Sequence, residues 1–131
     1  MIVDSSALLA VAFGEPEAAA YATAIAAAAR PRMSVANWFE SFMVAESRSG
    51  STTPGRLESI LKRFGVELVP VSALQASAAL DAWRRFGRGK HPAKLNYGDC
   101  FAYALAKTEG EPLLFKGEDF SQTDIEPALK A

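Results

Sequence analysis

Short apolar runs alternate along this chain with longer segments whose apolar positions recur at helical spacing. Met1, Ile2 and Val3 form an unbroken apolar run that ends at Asp4 and reads as a buried strand. Ser5 and Ser6 can then cap a helix through residues 7–11. Gly14-Glu15-Pro16-Glu17 punctuates the chain. Pro16 suits a first helical turn, and the alanine-rich stretch to Ala29 predicts a helix ended by Arg30 and Pro31. Residues 32–35 make a weak strand candidate, and residues 36–49 a helix stopped by Gly50. A turn over 51–55 leads into a helix with Leu57, Ile60, Leu61 and Phe64 on one face. Residues 66–71 read as a strand. Ser72 starts a further helix with Leu74, Ala78 and Trp83, fading near Gly87. Residues 88–95 are a basic loop. Asn96 caps a helix from Tyr97 to Glu109 that Gly110 closes, and residues 112–115 form the last strand. A turn-rich loop over 116–124 follows, with at most a short helical tail over 126–131.

Strands that alternate with helices predict an α/β fold with a mainly parallel central sheet flanked by helices, because each parallel return needs a crossover. A length of 131 residues suits one domain spanning 1–131. In such sheets ligands bind beyond the carboxyl ends of the strands. Asp4 stands directly after the first strand and Glu40 one turn into the helix after the second. Asp99 lies in the first turn of the helix at 97, and Asp119 in the loop after the last strand. A parallel sheet can gather all four at one edge.

Composition narrows the chemistry. Half of the residues are hydrophobic, enough for a core, and the formal net charge is −1, so any nucleic-acid contact needs a local basic patch. One cysteine cannot close an internal disulfide, and the N-terminus lacks the pattern of a signal peptide. The apolar stretch 18–29 is too short for a bilayer core of ~30 Å. A cytoplasmic protein without a membrane partner is the expectation.

Each acid also has a plain structural reading. Asp4 can be a helix cap, and Asp99 can close a capping box with Asn96. Glu40 can be a rim glutamate beside Trp38, Phe39 and Phe42, and Asp119 a turn residue. Their joint placement is what points to a site. Carboxylates a few ångströms apart raise one another's pKa, and a divalent cation relieves that conflict. With one histidine and one cysteine, zinc has too few ligands; Mg²⁺, with Mn²⁺ as substitute, fits an oxygen donor set. Such an ion can activate water for in-line cleavage of a phosphodiester.

Four segments carry a family resemblance. They are residues 1–8 (Met-Ile-Val-Asp-Ser-Ser-Ala-Leu), residues 33–35 (Met-Ser-Val) with the following helix and Glu40, residues 95–106 around Gly98-Asp99, and residues 112–120 with Thr123-Asp124-Ile125. In this order they resemble the motifs of the PIN-domain ribonucleases, specifically the VapC toxins of type II toxin–antitoxin systems. The resemblance implies a three-layer PIN-like fold and a Mg²⁺-dependent endoribonuclease that inhibits translation and is neutralised by a VapB-type antitoxin. It also implies homodimers and larger toxin–antitoxin assemblies. It makes Asp4 and Asp99 direct metal ligands and Glu40 the third acid. Many PIN domains carry a further acid two residues before Asp119, after a threonine; here Gly117 and Phe115 occupy those places, so Asp119 alone remains for a fourth carboxylate. Ser6 is expected to hydrogen-bond and orient an acid.

Arg84, Arg85, Arg88, Lys90 and Lys94, with His91 among them, are candidates for phosphate contact, as is Lys116; an exposed basic helix end is the plain alternative. Trp38, Phe39, Phe42 and Met43 are either core or a groove for an amphipathic antitoxin helix. His91 reads as a solvated loop residue and Cys100 as a small buried one. Three other readings compete. A phosphoaspartyl phosphatase would want an aspartate where Ser6 stands, and a receiver module would want an acidic end to the strand that finishes at Pro70 and Val71. A catalytically inactive PIN-like module that binds RNA or protein is the third.

Overall fold

The computed structural model describes residues 1–48 and 52–130. Four strands, β1 (Ile2–Val3), β2 (Arg32–Ser34), β3 (Glu67–Val69) and β4 (Leu113–Leu114), form one sheet in the order β3-β2-β1-β4. Every pairing is parallel, with Ile2 opposite Arg32 on one side and opposite Leu113 on the other. Among the described residues six helices make the crossovers: α1 (Ser5–Ala12), α2 (Ala18–Ala27), α3 (Val35–Ser47), α4 (Thr53–Phe64), α5 (Ala73–Phe86) and α6 (Tyr97–Glu109).

Adjacent strand residues point to opposite faces, and the core divides accordingly. Ile2 and Leu113 pack with α5 and α6, around Ala82, Phe86, Leu95 and Leu105. Val3, Met33 and Leu114 pack with α1 to α4, around Leu8, Tyr21, Ile25 and Leu57. The result is helix, sheet, helix, as the alternation of elements predicts. No helix among the described residues is long and apolar enough to cross a membrane.

Several boundaries differ from the sequence reading. Asp4, not a serine, caps α1: its side chain accepts from the Ser6 N–H, and Ser5 is already helical. Pro16 lies in the turn before α2, which begins at Ala18. β3 is shorter than residues 66–71. The expected stop of α3 at Gly50 lies outside the described residues. The tail over 126–130 is not helical. It makes one parallel bridge to β4 at Pro127 and then bends, with the Leu113 N–H donating to the Glu126 carbonyl at 2.9 Å and the Ala128 N–H to the Leu113 carbonyl at 2.8 Å. Backbone groups at an open sheet edge gain more from that pairing than a single helical turn beginning at Glu126-Pro127 would offer.

The sheet order puts β1 between β2 and β4. The chain turns from one side of β1 to the other in its last crossover, so the crevice at the carboxyl ends of β1 and β4 is the switch point of the fold. Asp4 leaves β1 into that crevice, and the loop carrying Lys116 and Asp119 leaves β4 beside it.

Candidate metal centre

Asp4 is 2 % exposed. Its Oδ2 accepts from the Ser6 N–H at 3.0 Å and from the Ser6 hydroxyl. Ser6 Oγ in turn accepts from the Lys116 N–H at 2.9 Å, which ties the exit of β4 to the acid after β1. Asp4 Oδ1 is buried and has no hydrogen-bond partner among the described residues. An anionic oxygen left this way is costly unless a proton or a cation meets it.

Asp99 is the third residue of α6 and closes a capping box with Asn96: its Oδ2 accepts from the Asn96 N–H at 3.0 Å, and Asn96 Oδ1 accepts from the Asp99 N–H at 2.9 Å. The plain structural reading of Asp99 therefore holds, and it fixes the carboxylate at the helix entry, with Oδ1 accepting no hydrogen bond among the described residues. Glu40, on α3, is half-buried. Its Oε1 accepts from the Ser5 hydroxyl at 2.6 Å and, at 3.4 Å, from Asn37 Nδ2. Asn37 Nδ2 also donates to the Gly98 carbonyl at 2.9 Å. A Cβ at Gly98 would fall on the Glu40 carboxylate, within 2.6 Å of its Cδ and Oε1 and closer still to Oε2.

The acids feel one another. Burial pushes the Asp4 carboxyl up to about 7; the Ser6 hydroxyl opposes this, and the negative charges of Asp99 and Glu40 add to it. Burial also pushes Asp99 up to about 6, against the Asn96 backbone donor and with help from Asp119 and Glu40. Asp119 stands exposed ahead of a 3₁₀ turn over Phe120–Gln122 and makes no capping bond with its side chain. It reaches this group through its charge on Asp99.

No three His, Cys, Asp or Glu side chains among the described residues are closed into a ready cage. The donors nevertheless fit a hard divalent cation. They are all carboxylate oxygens, one is buried and unpartnered, and Mg²⁺ commonly takes only one or two protein carboxylates and fills the rest of its octahedron with water and phosphate oxygens.

The other candidates fall into place around this group. Arg85 is drawn to Asp124 at 3.4 Å and lies over the Phe86 ring. Lys116 is neutralised by Glu15 and Glu17, at 2.5 and 3.0 Å. Lys90 sits 4.6 Å from the Trp83 ring centre, and Arg84 makes only a long ion pair with Asp81, at 3.9 Å. Arg88 and Lys94 carry no ion pair among the described residues, and Lys94 takes a left-handed φ of 53°. His91 Nδ1 accepts from the Ala93 N–H at 3.0 Å within its own loop. Cys100 is buried. Trp38, Phe39 and Phe42 line an open groove of about 600 Å³ with Leu61, Val66 and Leu68. Phe39 and Met43 are 61 % and 54 % exposed, whereas Trp38 and Phe42 are partly buried and pack against the core, so the group is core on one side and open on the other.

Ser5, Asn37 and Gly98 escape the sequence reading. Signals existed for two of them. Asn37 precedes Glu40 by three residues and so shares its helix face. Gly98 is a poor helix former inside a first turn, which often marks a close approach.

Comparison with known proteins agrees with this fold. The PIN-domain family model matches residues 1–126. A Mycobacterium tuberculosis protein named Ribonuclease VapC30 is 49 % identical over 125 residues, covering 95 % of each chain. A Mycolicibacterium smegmatis protein named Ribonuclease VapC is 50 % identical over 125 residues, covering 95 % of this chain and 97 % of that one. Among solved structures, M. tuberculosis VapC20, described as a sarcin–ricin-loop-cleaving toxin, superimposes with a TM-score of 0.75 at 16 % identity over 95 % of each chain. A toxin–antitoxin complex from Klebsiella pneumoniae gives 0.71 at 18 % identity over 94 % of this chain and 92 % of that one.

Proposed function

The chain belongs to the PIN-domain family, and from that premise we propose that it is a Mg²⁺-dependent endoribonuclease, the toxin of a type II toxin–antitoxin pair, with Mn²⁺ as a working substitute. The observation that carries this reading is the buried, unpartnered Asp4 Oδ1 beside Asp99 and Glu40. Asp4 and Asp99 are the direct ligands, Glu40 is the third acid, and Asp119 contributes from the rim. A bound Mg²⁺ supplies an activated water and charge for the leaving oxygen. Ser6 occupies Asp4 Oδ2 and so directs Oδ1 to the ion. The Asn96 backbone holds one Asp99 oxygen and leaves the other free.

Arg84, Arg88 and Lys94 are the best placed for substrate phosphates, because Arg85 and Lys116 already have carboxylate partners and Lys90 lies on Trp83. Reversing charge at Arg88 and Lys94 is expected to weaken RNA binding and to lower its salt dependence by about one ion for each phosphate no longer neutralised. The groove over Trp38, Phe39 and Phe42 takes the apolar face of a VapB-type antitoxin helix. In a Trp83→Phe protein, the emission of Trp38 should therefore shift on antitoxin binding; an unchanged spectrum would exclude this groove. Cleavage of cellular RNA in the cytoplasm inhibits translation, and the toxin acts as a homodimer, within larger assemblies when the antitoxin is present.

The test is cleavage of RNA by purified protein with Mg²⁺ or Mn²⁺, against EDTA and against Asp4→Ala. Cleavage only by the wild type with metal supports the reading. Equal cleavage in all arms would mean a contaminant, and none in any arm would favour a PIN-like binding module without activity.

A further inference from the structure

Three helices meet at the Glu40 carboxylate. Ser5 reaches it from the start of α1, Asn37 from one turn earlier on α3, and Gly98 from the first turn of α6. Both donors converge on Oε1, and Oε2 accepts no hydrogen bond among the described residues. The far side of the carboxylate rests on Gly98, where hydrogen replaces a side chain. The residue after Gly98 is Asp99.

Asn37 is the member of this group with no other evident task. It is fully buried and its amide nitrogen is shared between Glu40 and the Gly98 carbonyl, while its own Oδ1 has no partner among the described residues. A buried amide with half of its hydrogen-bonding capacity unmet costs stability, and an apolar residue of similar size would fill the space without that cost. What the amide provides is a rigid link between one acid and the backbone that carries the next.

We propose that Asn37 is a positioning residue for metal binding: its side chain clamps Glu40 to the α6 turn bearing Asp99, in a slot that exists only because residue 98 is glycine. This rests on the metal-dependent reading given above. The two can fail separately, because the clamp is read as a difference between proteins that all retain Asp4 and Asp99.

The experiment is a double-mutant cycle on Mn²⁺ affinity, measured by calorimetry or by the electron paramagnetic resonance of free Mn²⁺. Asn37→Leu in the wild-type background is expected to weaken Mn²⁺ binding about 10- to 100-fold, the range usual for residues that orient metal ligands. In the Glu40→Gln background the same change is expected to add less than a twofold loss. An equal loss in both backgrounds would assign Asn37 a general packing role and overturn the clamp.

Gly98→Ala gives a second route should Asn37→Leu not fold. It is expected to lower the melting temperature and the Mn²⁺ affinity of the wild type. With Glu40→Ala, which empties the slot, it is expected to raise the melting temperature, because alanine is the better helix former. A loss of stability in both backgrounds would mean that the slot does not hold Glu40. Wild-type protein that neither binds Mn²⁺ nor cleaves RNA would refute the metal-dependent reading, and the clamp with it. Wild-type binding unchanged in every variant would refute the clamp alone.

Discussion

Asp4 caps α1 with one oxygen and buries the other without a partner, so folding places its ionised form where the protonated form is favoured. Its carboxyl moves from 3.8 to about 7, chiefly through burial. Between those values the folded chain binds a proton that the unfolded chain has released. Stability of the metal-free protein therefore falls as pH rises across this window and levels off above it. Thermal melts in EDTA at a series of pH values check this. Added Mn²⁺ should restore most stability at the alkaline end, where no proton competes. Asp4→Asn should make the decline shallower, leaving the part due to Asp99, and stabilise the metal-free protein above neutral pH by ~1–3 kcal/mol while removing Mn²⁺ binding. A decline as steep as the wild type's would place the titrating group elsewhere. Cys100 is a second residue-scale case. Burial, then the Asp99 charge, pushes its thiol up to about 11. Alkylation should be slow in the native protein and fast once it is unfolded.

At the scale of elements, α6 shows how a cap and a candidate site share one carboxylate. Asn96→Ala removes half of the capping box and should cost ~1 kcal/mol, measured by chemical denaturation. Asp99→Asn retains an acceptor for the Asn96 N–H and removes a carboxylate whose pKa folding raises; above neutral pH it should leave the metal-free protein at least as stable as the wild type and still lose Mn²⁺ binding. A large loss of stability would mean that Asp99 serves the helix first. The Asn96-to-Gly110 helix was legible in the sequence because local chemistry sets both its ends. The tail after Glu126 was not, since its conformation answers to the open edge of β4, set by the packing of the whole sheet. Asp4, Glu40, Asp99 and Asp119 were legible as candidates because each lies just after a strand or within the first two turns of a helix. The hold on Glu40 was not, because Ser5, Asn37 and Gly98 come from three helices whose crossing no local pattern records.

At the scale of the whole molecule, the amino end of the strands, opposite the candidate site, carries charge pairing of a kind the acidic group lacks. Arg32, with a side chain 9 % exposed, lies 3.3 Å from Glu109 and 3.0 Å from Glu111. Arg32→Ala should cost about 2–3 kcal/mol, less than a wholly buried pair because both glutamates keep some solvent, and should leave Mn²⁺ affinity unaltered. The parallel α/β architecture was legible from the alternation of elements. The strand order was not, since nothing local to residues 113–114 says that they return to the far side of β1. That return has a further consequence. Asp4 and Glu40 belong to the half of the chain packed on one face of the sheet, and Asp99 and Asp119 to the half packed mainly on the other. A break in the mostly exposed Pro70-Val71-Ser72 segment would yield two pieces, each with two of the four acids, that recover Mn²⁺ binding only when mixed. Neither half of the chain thus holds the whole acidic group, which the sheet assembles from two pieces packed mainly on opposite faces.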